Sequence, residues 1–346
     1  MFQTFKSAVV YGETIDFNFA NKEKDLLIVD RNLLALFPNS FANWTYLYPV
    51  TAGELLKEWS TAAQHIQTLG DFWGKSAHRQ SRVIVCGGGS IGDLGGFYAS
   101  IFKRGVELVH VPTTWLAAID SAHGGKNGLN LQGAKNQIGT FYPAHQVYIF
   151  KEFLAQQPQE RVIDGFGEYI KIKMIENGSF DVTTFNPKSD LAELLWSDLK
   201  MTVESKYLIV QEDPLEISGV RVLLNLGHTF GHILETLTGA SHGLCVLQGI
   251  DFALNWSEQR GFVTFKDRQN ILQVLHDLKV PIWSESLEKR RFSKKQIQEL
   301  FKQDKKMTAT GDMQFIFIKS GERAVCQRVT LAEFTGEIIR QGWMES

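Results

Sequence analysis

The segment Arg82-Val-Ile-Val-Cys86-Gly87-Gly-Gly-Ser-Ile-Gly92-Asp-Leu-Gly-Gly96 runs from an apolar strand straight into a glycine-rich turn. Gly87, Gly89 and Gly92 satisfy G-x-G-x-x-G in the required place, after a strand and ahead of an expected helix. Glycines there let the backbone approach a pyrophosphate, and the helix N-terminus offers amide donors and a favourable dipole. A tight packing turn would show the same glycines, so the rest of the chain must arbitrate. On the dinucleotide reading, Gly87, Gly88, Gly89 and Ser90 are candidate contacts. Asp93 is placed to meet a ribose or a nicotinamide amide, and Asp30, at the end of an earlier strand, is a candidate for the adenosine ribose. Val111-Pro-Thr113-Thr114 closes another strand with two hydroxyls directed at the same crevice.

Working outward, Leu26–Val29, Val83–Cys86, Val106–Val111 and Val147–Phe150 read as strands, and Ala52–Leu69 has helical spacing of its apolar residues. Strands alternating with helices predict an α/β N-terminal domain, Rossmann-like, with a mainly parallel sheet. Beyond residue 150 the texture changes to helical patterns at Arg161–Ile175, Asp190–Val210, Thr229–Thr238, Leu247–Arg260 and Lys266–Leu278. Met313–Ile318 and Ala324–Val329 read as late strands. The expected division is a dinucleotide-binding domain at 1–150 and a mostly α-helical metal-binding domain at 151–346.

Bulk properties narrow the function. With 346 residues, 44% hydrophobic and 21% charged, the chain reads as a globular protein with a large core. A net charge of −2 argues against broad binding of nucleic acid or an anionic membrane, so basic chemistry must be local. No apolar run approaches the roughly 20 residues of a membrane helix, and Met1-Phe-Gln-Thr-Phe-Lys6 shows no signal-peptide pattern. Cys86, Cys245 and Cys326 form an odd, scattered set that reads as reduced thiols in a cytoplasm.

His228 and His232, in Leu226-Gly-His-Thr-Phe-Gly-His232, stand four apart and so share a helix face. His242 follows the Gly239-Ala-Ser break and can return beside that face from a loop or the next helix start. Hydrogen-bonded core histidines are the alternative to a divalent metal site. Thr229 occupies the place of the Glu in an H-E-x-x-H helix, which disfavours zinc-peptidase chemistry. Cations recur among glycines and asparagines in Asp120–Asn130, Gly133–Asn136, Glu168–Lys171, Lys206, Arg221–Asn225 and Asp304–Lys306. Together they point to a pocket for a polyanion carrying phosphate and carboxylate. Glu168 and Lys171, at i and i+3, can divide between metal and substrate, and a carboxylate joining two imidazoles makes an open catalytic metal site.

The motifs GGGSIGDLGGF, RGVELVHVPTTWLAAIDSAHGGKNGLN, GAKNQIG, GFGEYIK, RVLLNLGHTFGH, SHG and DKK, in that order, resemble the 3-dehydroquinate synthase family of sugar-phosphate cyclases. The resemblance implies a cytoplasmic homodimer in the shikimate pathway of aromatic amino acid biosynthesis, working with NAD+ and a divalent metal, Zn2+ or Co2+. It implies conversion of 3-deoxy-D-arabino-heptulosonate 7-phosphate to 3-dehydroquinate and phosphate: transient oxidation at C5 acidifies C6–H, phosphate leaves by β-elimination, the ketone is reduced, and the released enol closes by aldol addition. By the same resemblance Glu168, His228 and His242 are metal ligands, and His232, Lys171, Asn225 and Arg221 are catalytic. Asp120, Lys126, Lys135, Asn136, Lys171, Lys206, Arg221, Asn225, His232 and one of Lys305 or Lys306 match substrate positions, and Arg104 matches an arginine reaching the neighbouring subunit's phosphate. Glu54, Lys57, Asp120 and Lys135 join the nucleotide contacts.

The chain departs from the family pattern at Leu244, where a Glu is usual, at Asn127 for Thr, and at His123 for a small or apolar residue; Asp213–Arg221 is one residue longer. Retained Lys126, Lys135, Asn136, Arg221, Asn225 and His232 favour the dehydroquinate reaction over a sibling cyclase on another sugar phosphate. A metal-dependent alcohol dehydrogenase of the glycerol dehydrogenase kind and a non-catalytic binding protein are the other readings. The lysine cluster argues against the first and the complete ligand set against the second.

Overall fold

The computed structural model describes residues 5–178, 190–277, 292–293, 296–297 and 312–344. Lys305 and Lys306 lie outside the described residues. Two compact units form, one from residues 1–165 with 199–215 and one from residues 166–198 with 216–346.

The first unit carries β1 Ala8–Gly12, β2 Leu26–Asp30, α1 Arg31–Leu36, β3 Tyr46–Val50, α2 Trp59–Trp73, β4 Arg82–Gly87, α3 Gly89–Ile101, β5 Glu107–Pro112, β6 Lys126–Leu131, β7 Ala134–Phe141 and β8 Gln146–Phe150. Six of these strands form one sheet in the order β1-β8-β5-β4-β2-β3, every pairing parallel. The central strands Leu26–Val29 and Val83–Cys86 are buried on both faces, as the continuous apolar runs of a covered parallel sheet require. From β2 the chain moves outward to β3, and from β4 it moves outward on the other side to β5. The strand order therefore reverses between β2 and β4, and a ligand of such a sheet sits at the carboxyl ends of that pair.

The expected helix over Ala52–Leu69 is corrected to a 3₁₀ turn at Glu54–Lys57 followed by α2, which runs on to Trp73. Gly53, with φ of 141°, and extended Glu58 break the helical path ahead of Trp59. The edge strands β1, Ala8-Val-Val-Tyr-Gly12, and β3, Tyr46-Leu-Tyr-Pro-Val50, were not foreseen. Pro49 fits β3 because an edge strand leaves one row of amides unpaired. Nor was the antiparallel β6–β7 hairpin foreseen; its turn residues Gln132 and Gly133 both have positive φ, 52° and 78°, the signature of a hairpin turn.

The chain continues through α4 Lys151–Leu154 in the first unit to α5 Gln159–Asn177 and α6 Leu191–Glu212, then α7 His228–Thr238, α8 His242–Gln259 and α9 Phe265–Asp277. An antiparallel hairpin, β9 Asp312–Lys319 and β10 Glu322–Thr330, precedes a C-terminal helix Leu331–Arg340. That helix is fixed at its start by a capping box between Thr330 and Glu333. The helix expected from Leu247 begins five residues earlier, at His242, behind extended Ser241. Among the described residues no helix is long and apolar enough to cross a membrane.

Three helices of the second unit meet at glycines. A methyl group built on Gly167 of α5 would lie 2.6 Å from the Gly243 carbonyl oxygen of α8. One built on Gly231 of α7 would lie 2.8 Å from the Cys245 oxygen. Gly227 combines a φ of +78° with a methyl position 2.7 Å from the Val246 oxygen. Gly231→Ala must push α7 from α8, an overpacking cost of about 1–3 kcal/mol. The expected result in a thermal melt is a midpoint lowered by roughly 2–10 °C; an unchanged midpoint would show that the crossing has slack.

Candidate functional site

Where β4 ends, Gly87 passes its carbonyl to the Thr113 amide at 3.1 Å, and Gly88 sits in the N-cap position of α3. The first amides of α3 have no partner within the helix and face outward. Gly88 has ordinary extended dihedrals, so its lack of a side chain is a matter of space. A methyl there would lie 3.2 Å from Thr114 Cγ2, and one on Gly89 would lie 3.2 Å from Ser121 Oγ. Asp30 ends β2 and accepts the Asn32 amide at 3.0 Å, which holds its carboxylate at the rim where the strand order reverses.

Around this turn several expected nucleotide residues form one connected network. Lys57 Nζ meets Asp93 Oδ2 at 2.7 Å and donates to Asn136 Oδ1 at 2.8 Å. Asp93 Oδ1 accepts the Gly128 amide at 3.0 Å. Burial pushes the Asp93 carboxyl above the usual range, against the pull of Lys57 and the Gly128 amide. Ser90 Oγ accepts the Gly53 amide at 3.1 Å. Glu54 accepts from Asn130 Nδ2 at 2.7 Å, and Asn130 Oδ1 in turn accepts the Asn136 amide at 3.0 Å. Asn130 was missed at the sequence level; it sits at the register shift of the β6–β7 hairpin, which no local pattern announces.

Asp120 lies in a π-helical turn, Ala117–Ser121, a local form frequent at functional sites. Lys206, nearly buried on α6, donates to Asp120 Oδ1 at 2.8 Å and also to its carbonyl oxygen. Lys126 and Lys135 stand exposed on β6 and β7. Arg104 is exposed just after α3, with a φ of 66°.

In the second unit, Glu168 from α5, His228 from the first residue of α7 and His242 from the first residue of α8 converge. One ligand atom from each lies within 4.8 Å of the others. Glu168 Oε1 is 3.5 Å from His228 Nε2 and 3.2 Å from His242 Nε2. Donors bound at about 2.0–2.2 Å around a tetrahedral ion are themselves roughly 3.2–3.6 Å apart, so the spacing suits a metal. The tautomers suit it too. His228 Nδ1 donates to the Leu226 carbonyl at 3.1 Å, leaving the Nε2 lone pair toward Glu168. Burial holds the His228 pKa down at about 3, outweighing the nearby Glu168, so the ring is neutral.

His242 is gripped from both sides, with Nδ1 3.2 Å from Glu235 Oε2 and Nε2 facing Glu168. Burial opposes charge on this ring, yet its hydrogen bonds with Glu168 and Glu235 prevail and push the pKa up to about 10. The Glu235 carboxylate is placed to orient His242 on the next helix, not His232 on its own. Leu244, where a Glu was expected, is half-buried.

The other Glu168 oxygen, Oε2, contacts Lys171 Nζ, so the i, i+3 pair meets as a buried ion pair. His232 is exposed, its ring centroid 5.3 Å from that of His228, and it stands outside the three-ligand set. Arg221 is buried in the 3₁₀ turn Arg221–Asn225, and a cavity of about 270 Å³ opens beside Asn225, lined in part by Thr229, Glu216 and Gln314.

Metal titration of Glu235→Gln should show affinity reduced about 10–100-fold, while Leu244→Glu stays near wild type because His242 Nδ1 already has its carboxylate. The proton on His242 stabilises the metal-free fold fully below about pH 6.5, the ordinary value, and this contribution is lost as pH rises toward 10. Binding of Zn2+ at neutral pH should therefore release about one proton, measurable by calorimetry in two buffers of different ionisation enthalpy. An unaltered affinity in Glu235→Gln would remove Glu235 from the site.

The chain matches the 3-dehydroquinate synthase N-terminal family over residues 47–164 and the 3-dehydroquinate synthase C-terminal family over residues 165–307. It is 35% identical over 292 residues to the 3-dehydroquinate synthase of Zymomonas mobilis subsp. mobilis, a stretch covering 82% of this chain and 76% of that one. Among solved structures it is similar to 2-deoxy-scyllo-inosose synthase complexed with carbaglucose-6-phosphate, NAD+ and Co2+, with a TM-score of 0.78 at 21% identity over 96% of each chain. It is similar also to 2-epi-5-epi-valiolone synthase of Streptomyces hygroscopicus subsp. jinggangensis with NAD+ and Zn2+ bound, with a TM-score of 0.76 at 20% identity over 97% of this chain and 96% of that one. At such identities the two structures speak to the fold, a likeness that spans both units. The two family matches adjoin without a break from residue 47 to residue 307, and on them the chain belongs to the 3-dehydroquinate synthase family.

Proposed function

We propose that this protein converts 3-deoxy-D-arabino-heptulosonate 7-phosphate to 3-dehydroquinate and phosphate, as a cytoplasmic homodimer of aromatic amino acid biosynthesis. The observation that carries the reading is the convergence of Glu168, His228 and His242 beside Lys171, in a chain of this family. When bound, NAD+ would accept and return a hydride and a divalent ion, Zn2+ or Co2+, would polarise a substrate hydroxyl. Residues 1–150 are assigned to the dinucleotide, with Asp30, Glu54, Lys57, Gly87, Gly88, Gly89, Ser90, Asp93, Thr113, Thr114, Asp120 and Lys135 as its contacts. Residues 151–346 are assigned to the metal and much of the substrate.

The chain's own groups then divide the work. Glu168, His228 and His242 hold the ion through one oxygen and two neutral imidazole nitrogens. His232 is the one exposed imidazole beside that set among the described residues, and it moves hydroxyl protons near neutral pH, with Asn225 fixing the hydroxyl it serves. Lys171 holds Glu168 in orientation and presents its ammonium to substrate oxygens. Arg221 and Lys206 are buried cations, and with Lys126 and Lys135 they supply the charge that a phosphate and a carboxylate demand, while the Asn136 amide offers a neutral hydrogen bond. Arg104, exposed after α3, is assigned to the phosphate bound by the partner subunit.

Phosphate release from the heptulosonate phosphate should require both NAD+ and the metal, stop with a chelator, and leave no net NADH. Accumulating NADH would instead place the protein with the alcohol dehydrogenases, and release only from another sugar phosphate would make it a sibling cyclase. His232→Ala should keep its metal and lose about 10²–10⁴-fold in turnover; loss of the metal as well would make His232 a ligand.

The dinucleotide assignment is tested at Gly88. Gly88→Val puts branched carbon where Thr114 leaves 3.2 Å for the first atom alone. NAD+ binding in calorimetry should fall below detection while circular dichroism stays that of the wild type. Unchanged affinity would move the cofactor elsewhere.

A further inference from the structure

Two neighbouring side chains of α6 reach the same turn by different means. Lys206 bonds Asp120, and Tyr207 Oη lies 2.9 Å from His123 Nδ1. The other nitrogen of that ring, His123 Nε2, lies 2.9 Å from the Ala118 carbonyl oxygen. A carbonyl only accepts, so Nε2 carries the ring proton and Nδ1 accepts from the tyrosine hydroxyl. Burial drives the His123 pKa down to about 3, with Lys206 adding to the effect, so the ring stays neutral and keeps this one tautomer. His123 is 2% exposed and Tyr207 fully buried, so neither meets solvent or a ligand directly. The His123 amide closes the turn on the Asp120 carbonyl at 3.1 Å.

The turn held this way is the π-helical segment Ala117–Ser121. It carries Asp120, and its Ser121 Oγ lies 3.2 Å from where a methyl on Gly89 would stand. A shift of a few tenths of an ångström in this turn therefore changes both the carboxylate of Asp120 and the space over the glycine turn. We propose that His123 and Tyr207 are positioning residues, a buried hydrogen-bond relay from α6 to the Ala118 carbonyl that sets the π-helical turn against the dinucleotide site. The inference rests on the dinucleotide reading of the Gly87–Gly89 turn. Neither residue donates to the ligand; they act through Asp120 and Ser121.

The test is NAD+ affinity, by calorimetry about 10 °C below each variant's melting midpoint, for the wild type, His123→Ala, Tyr207→Phe and the double variant. Each single change should raise the Kd roughly 10-fold, since small misplacements at such sites are costly. The double variant should be no weaker than either single one, as expected of two links in one relay. His123→Gln, which keeps a donor and an acceptor, should recover part of the loss. Lower melting midpoints with wild-type Kd values in every variant would overturn the inference and leave a purely stabilising pair. A wild type that itself fails to bind NAD+ would overturn the functional reading and this inference with it, an outcome plainly different from the first.

Discussion

The close approach of three helices at glycines is what the cluster of Glu168, His228 and His242 depends on. Gly167, Gly227 and Gly231 each leave room for a carbonyl oxygen of α8 that a single methyl group would displace. Each stands one residue before a chemically active side chain: Glu168, His228 and His232. Gly243 follows His242 and receives the contact from Gly167. Short side chains such as Asp or His cannot span a wide helix gap, and even Glu reaches only a few ångströms. Bringing the backbones together is therefore the condition for an oxygen and two ring nitrogens to lie within 4.8 Å. The alternation of glycine with histidine or glutamate in this part of the chain records one requirement twice, once as packing and once as chemistry.

Each of the three side chains is then fixed from behind. His228 is locked by the Leu226 carbonyl, His242 by Glu235, and Glu168 by Lys171. These partners decide tautomer and orientation, so the donor atoms point inward with little freedom left to lose when an ion binds. A similar economy governs the first unit, where Lys57, Asp93, Asn136, Asn130 and Glu54 neutralise and orient one another around the start of α3.

Much of this was legible in the sequence, and the rest was not for identifiable reasons. The central strands β2 and β4 declared themselves because burial on both faces writes an unbroken apolar run. The edge strands β1 and β3 are apolar too, but they are half exposed and only five residues long, with Gly12 and Pro49 inside them, and were passed over. In the β6–β7 hairpin the lysines and asparagines drew the reading toward charge, although Gln132-Gly133 is a workable hairpin turn. Glu168, His228 and His242 could be brought together from spacing and family likeness. The bond from Asn130 to Glu54 and the one from His123 to Tyr207 join residues 76 and 84 apart in sequence, and no local pattern announces such pairs. Which histidine Glu235 serves is decided by the turn between α7 and α8.

The central claim is a metal held by one carboxylate and two imidazoles, with His232 outside the ligand set. X-ray absorption at the metal edge of the zinc-loaded protein reads that shell directly. The account predicts oxygen and nitrogen neighbours at about 2.0–2.2 Å, with outer-shell scattering from two imidazoles and no sulfur at about 2.3 Å. A third imidazole, or a sulfur from Cys245 three residues beyond His242, would contradict it.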